Sequence, residues 1–160
     1  MGLIDFVKEA GAKIGIGKSK AEMAKEAEVQ EYVQEQTKAN ALWHQVRNLG
    51  LEIEDLKIQF DDGVATVNGT TETQAEREKV VLAIGNVHGV GQVDDRIAVV
   101  APEPEATFYT VVSGDTLSKI ALAQYGDAMK YPVIFEANKP MLENPDLIYP
   151  GQVLRIPPLG

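Results

Sequence analysis

The run Ala101-Pro102-Glu103-Pro104-Glu105-Ala106 constrains this 160-residue chain more than any other segment. Proline has no backbone donor for a helix interior or a central strand, and it pushes the residue before it toward extended geometry. Interleaved carboxylates keep such a run solvated and semi-rigid. Residues 101–107 therefore read as a linker, and the chain divides into two small folding units.

Upstream, Leu3, Phe6, Val7, Ala10 and Ile14 recur at helical spacing, which predicts a short amphipathic helix over residues 3–10. Gly11 is a natural stop for it, and Gly15 and Gly17 loosen the backbone beyond that stop, so residues 1–17 form an N-terminal extension. A second helix is expected from Ala21 to Asn48, with Val29, Tyr32, Val33, Leu42, Trp43, Val46 and Leu49 as its apolar positions and Gly50 as its end. Leu56, Ile58 and Phe60 then alternate strictly before Asp61-Asp62-Gly63 and Val64-Ala65-Thr66-Val67, the pattern of a β-hairpin. Thr73 and Glu76 have capping-box spacing at the head of another helix, which Gly85 ends. A strand over about Val93 to Val100 completes an α-β-β-α-β unit within residues 18–100. Beyond the linker, residues 108–160 read as strand (Phe108 to Val112), helix (Thr116 to Gln124), helix (Lys130 to Asn138) and strand (Val153 to Ile156). The expected class is α+β, in two small domains.

A hydrophobic fraction of 44% suits a folded chain. The net charge of -9 argues against nucleic acid and anionic membranes as partners. The chain has no cysteine, which excludes disulfides, thiolate metal sites and cysteine nucleophiles. Asp5, Lys8 and Glu9 interrupt the apolar residues where an export signal would need a continuous run, and no stretch is long and apolar enough to span a bilayer. A soluble, monomeric, cytoplasmic protein is expected.

Two resemblances sharpen this reading. YTVVSGDTLSKIALAQYG (Tyr109 to Gly126), followed by IFEANKPMLENPDLIYPGQVLRIP (Ile134 to Pro157), resembles a LysM domain. DDGVATVNGT before the last helix of the first unit, with GNVHGVGQVDDRI after it, resembles a BON domain. Both modules behind GLIDFVKEAG resemble the small cytoplasmic potassium-binding proteins of bacteria, sensors or buffers of that ion built as BON followed by LysM. The region from Lys18 to Asp55 departs from this resemblance, being longer than the family form and carrying Leu42-Trp43-His44.

Potassium is a large, weakly hydrated cation whose water shell neutral carbonyls can replace, whereas carboxylate-rich sites suit hard divalent ions. The last carbonyls of a helix lack intrahelical partners and sit at the negative end of its dipole. Two helix ends of this chain qualify: the one expected near Gly11, and the Gly85-Asn86-Val87-His88-Gly89-Val90 turn, where glycine permits left-handed angles. The resemblance implies the ligands themselves, the main-chain carbonyls of Val7, Lys8 and Ala10 with those of Gly85, Val87 and Val90. Rubidium and caesium would be accepted on the same grounds.

The main rival is glycan binding by the LysM-like unit, between Ser113 to Leu117 and Asn144 to Ile148, although Asp115 or Thr116 also serves there as a helix cap. No catalytic residue and no organic cofactor is expected. His44 and His88 form no HExxH pattern, and no calcium loop of alternating Asp is present. Asp61-Asp62 and Asp94-Asp95 read as solvated surface, and Trp43 reads as core.

Overall fold

The computed structural model describes residues 3–5 and 20–159. The first unit is a four-stranded sheet in the order β1-β4-β3-β2, built from β1 (Leu3–Asp5), β2 (Glu54–Asp61), β3 (Val64–Thr73) and β4 (Gln92–Ala101). Two helices cover it, α1 (Lys20–Asn48) and α2 (Gln74–Gly85). β2 and β3 are the expected hairpin. Asp62 and Gly63 take φ of 45° and 82°, both left-handed, as a two-residue turn matched to strand twist requires. β3 and β4 run parallel, so α2 is the crossover between them. Its Thr73–Glu76 capping box is present in both directions.

The start of the chain departs from expectation. Leu3–Asp5 is a strand, antiparallel to β4 with Leu3 opposite Asp94 and Asp5 opposite Gln92. A short isolated helix is costly to nucleate, whereas an open edge of β4 offers unpaired backbone groups to any extended segment. The remainder of the helix expected over residues 3–10 lies outside the described residues.

The core of this unit joins Leu42 and Val46 of α1, Val80, Val81 and Ile84 of α2, and Ala65, Val67, Val93 and Ile97 of the sheet. Trp43 packs against it, its indole N–H donating to the Leu56 carbonyl. Only the C-terminal half of α1 is seated, however. Val29, Tyr32 and Val33 are 63%, 62% and 54% exposed, because α1 extends past the sheet before those positions can reach it. Asp94 is partnered by Arg96 at the surface, but Asp95 is buried, ion-paired with Arg77 at 2.8 Å, and accepts the Ile97 N–H. The surface expected for that second acidic pair holds for only one of its members.

The second unit pairs β5 (Thr107–Thr110) with β6 (Val153–Ile156), antiparallel. Between them lie α3 (Leu117–Tyr125), a 3-10 turn (Ala128–Lys130) and α4 (Tyr131–Ala137). Thr116 caps α3, accepting the Lys119 N–H, and Gly126 ends it at φ 75°. Leu117, Ile120, Ala121, Ile134 and Leu154 close its core.

The two units touch along α2 and β6. β6 has β5 on one side, and on the other its Val153 and Arg155 backbones are met by asparagine side chains. Asn86 pairs with Val153 and Asn138 with Arg155, each giving and accepting one hydrogen bond of 2.8–2.9 Å. Beside them the Arg155 guanidinium meets the Glu78 carboxylate at 3.0 Å, both side chains at most 10% exposed. Glu78 also accepts the Ala106 N–H, which pins the Pro/Glu segment to α2.

A carbonyl-rich turn as candidate functional site

The end of α2 is the best-defined candidate site. Gly85 and Val90 are buried, Asn86, Val87 and Gly89 half-buried, and His88 exposed. The helix unwinds through short steps: the Asn86 N–H donates to the Leu82 carbonyl, Val87 to Ile84, and Val90 to Val87. Gly89 takes φ 90°, which favours glycine, and the Val90 side chain is fully buried in the core.

Among the described residues, the carbonyls of Gly85 and Val90 accept no backbone N–H, and that of Val87 accepts one. A carbonyl has two acceptor lobes, so all three retain capacity for a further partner. Their setting is rigid. The Gly91 and Gln92 N–H groups both donate to the Gly63 carbonyl, tying the turn to the hairpin. Asn86 ties it to β6. Lys38 of α1 ties it from a third side, its ammonium donating to the His88 carbonyl. Partial burial holds that ammonium below the ordinary lysine range. Neutral oxygens at a helix C-terminus, without a carboxylate among them, suit a weakly hydrated monovalent cation.

Of the six expected ligand residues, Gly85, Val87 and Val90 thus share this turn, while Val7, Lys8 and Ala10 lie outside the described residues. β1 ends at Asp5 opposite Gln92, two positions beyond Val90. Sequence reasoning did not identify Asn86 or Lys38 as supports of the turn; both act through contacts remote in sequence, and neither belongs to a recognisable motif. His44 and His88 join no metal cluster, and the described residues contain no group of three or more His, Cys, Asp or Glu placed to hold a metal ion. No helix among them is long and apolar enough to cross a membrane.

In the second unit, the Ser113 to Leu117 loop is braced by Asp115, which accepts the Tyr109 hydroxyl at 2.6 Å and the Val112 N–H at 2.9 Å. Asp115 is accordingly held below its ordinary value, chiefly by the tyrosine and then by the backbone. Leu147 and Tyr149 join Val87, Asn86, Met141 and Gln152 around a cleft of about 300 Å³ between the units.

Comparison with known proteins agrees with this architecture. Residues 25–101 match the BON domain and residues 109–157 the LysM domain. The chain is 44% identical over 98% of its length to potassium binding protein Kbp of Escherichia coli, covering 99% of that protein. It is also 59% identical over 51 residues to an uncharacterized protein of Deinococcus radiodurans, and 51% identical over 53 residues to an esterase of Mycobacterium tuberculosis. These segments cover 19% and 11% of those two proteins, so the esterase's name describes a chain almost entirely outside the match.

Proposed function

This chain belongs to the family of the potassium binding protein Kbp, and from that premise we propose that it binds potassium at the Gly85–Val90 turn. The ligands in this reading are the main-chain carbonyls of Gly85, Val87 and Val90, with those of Val7, Lys8 and Ala10. One observation carries it: β1 ends at Asp5 beside Gln92, at the edge of the turn. Val7, Lys8 and Ala10 follow Asp5 by two to five positions in the sequence. Carbonyls from the two segments can thus form one neutral cup, of the kind that accepts potassium, rubidium or caesium ahead of sodium.

The protein acts, in this reading, as a monomeric cytoplasmic sensor or buffer of potassium under osmotic or ionic stress. It is a binding protein and not an enzyme, with no nucleic-acid or membrane partner. Binding joins the start of the chain to the end of α2, so it stabilises the fold. At an ion concentration about 1,000 times the dissociation constant, linkage supplies roughly 4 kcal/mol, a large share of a small domain's stability.

Thermal unfolding of the potassium-free protein, with potassium, sodium, magnesium, calcium or chitooligosaccharide added separately, tests the reading. A large rise with potassium and little with sodium is expected. A shift with the oligosaccharide and none with potassium would replace it by glycan binding through the LysM domain.

A further inference from the structure

We propose that Lys38 is a tethered competitor for the cation at the Gly85–Val90 turn, so that potassium binds by displacing its ammonium. The proposal rests on the preceding reading of the turn and adds a residue that sets its affinity.

Lys38 reaches the turn from α1, fifty residues away in sequence, and donates to the His88 carbonyl. A Cβ placed on Gly89 would lie 3.4 Å from the Lys38 nitrogen and 3.7 Å from its last carbon, so the ammonium lies directly over the backbone of the turn. One helical turn earlier on α1, the Glu35 carboxylate accepts the Asp62 N–H of the hairpin turn. Glu35 and Lys38 share a face of α1 at this spacing, and together they fix the helix against both turns. The lysine is therefore presented to the site by a braced helix.

A primary ammonium and a potassium ion are chemically close: both are monovalent, of similar size and satisfied by carbonyl oxygens. A turn that presents main-chain carbonyls does not distinguish them by hydrogen-bond pattern. Two positive charges cannot share it without mutual repulsion, which is strong at partly buried distances of a few ångström. Displacement of the ammonium is thus part of the cost of binding.

The test compares the full-length protein with Lys38→Met, by calorimetric potassium titration and by thermal unfolding in potassium-free buffer. Methionine matches the lysine side chain as far as Cε, keeps its helix preference and removes the charge. Lys25→Met, on the exposed part of α1 about 20 Å up the helix, makes the same change in net charge remote from the turn. The expected result is potassium binding about tenfold tighter in Lys38→Met than in the parent, the order of one charge-assisted hydrogen bond released. Its potassium-free unfolding temperature falls, because the Lys38 hydrogen bond to the His88 carbonyl is lost, while Lys25→Met matches the parent in both measurements. Unchanged or weaker binding in Lys38→Met, with the parent still binding potassium, would mean that Lys38 only braces the turn; this inference would fall and the function would stand. Equal tightening in Lys25→Met would overturn it as a general charge effect. A parent that takes up no potassium would remove the proposed function and this inference together.

Discussion

The Asn86 carboxamide stands in for a missing strand beside Val153, donating to its carbonyl and accepting its N–H, both at 2.8 Å. Asn86 is also the cap of α2, its own N–H bonded to the Leu82 carbonyl. One residue therefore ends a helix in the BON domain, closes the open edge of a strand in the LysM domain and sits inside the carbonyl turn. An unpaired edge at a domain contact would leave polar backbone groups without water or partner.

Asn86→Ala is expected to destabilise the protein by about 2 kcal/mol, since both Val153 groups lose their partner where they are partly buried. Asn86→Asp recovers little of this, because it keeps the acceptor but sets a charge against the Val153 carbonyl. Urea unfolding of the three proteins measures it; a loss below about 0.5 kcal/mol, ordinary for surface substitutions, would show that water replaces the amide.

Glu78 and Arg155 form the buried ion pair across the same contact. Removing one member leaves the other charged and buried, so Glu78→Gln or Arg155→Met alone should cost about 3–5 kcal/mol. Replacing both with apolar residues, Glu78→Leu with Arg155→Met, is expected to recover most of that loss. A double-mutant cycle in urea provides the measurement, and additive losses would contradict a pair that stands or falls together.

The Tyr109–Asp115 bond gives the LysM domain a pH dependence whose sign is set at both ends. The bond lowers the folded-state value of Asp115 and raises that of Tyr109. The aspartate's contribution is present above its ordinary value and lost as pH falls below about 4. The tyrosine's is present below its ordinary value and lost as pH rises beyond about 10. Tyr109→Phe should flatten both limbs of an unfolding-temperature profile across pH, and a profile identical to the parent's would refute the coupling.

If the turn binds through its backbone, side chains and glycines respond differently. Val87→Ala and Lys8→Ala keep every carbonyl, and potassium affinity should stay within about tenfold of the parent. Gly89→Ala forces a side chain onto φ 90°, a conformation costing roughly 1–2 kcal/mol, and should weaken binding by about tenfold or more as the turn relaxes. Calorimetry on the three variants decides it; abolition by Val87→Ala with the fold intact would point to a side-chain contribution.

What could be read from the sequence was local. The hairpin announces itself in Asp61-Asp62-Gly63 between alternating strands, α2 in the Thr73–Glu76 box, and α3 in a cap at Asp115 or Thr116; each depends on residues within a few positions of one another. The resemblance to BON and LysM domains was likewise carried by contiguous motifs. The candidate carbonyls were reached through that resemblance, because a backbone ligand imposes no side-chain type and leaves no pattern to read. Tertiary structure decided the remainder. Leu3–Asp5 became a strand because β4, some ninety residues away, offered an edge. Val29, Tyr32 and Val33 were left exposed because α1 extends past its sheet, which helical periodicity cannot foresee. Asp95, Asn86, Lys38 and the Glu78–Arg155 pair acquired their partners only when distant segments packed. Periodicity and capping are short-range free energies written into neighbouring residues, whereas edge pairing, burial of charge and the bracing of a turn exist only after the chain has closed on itself.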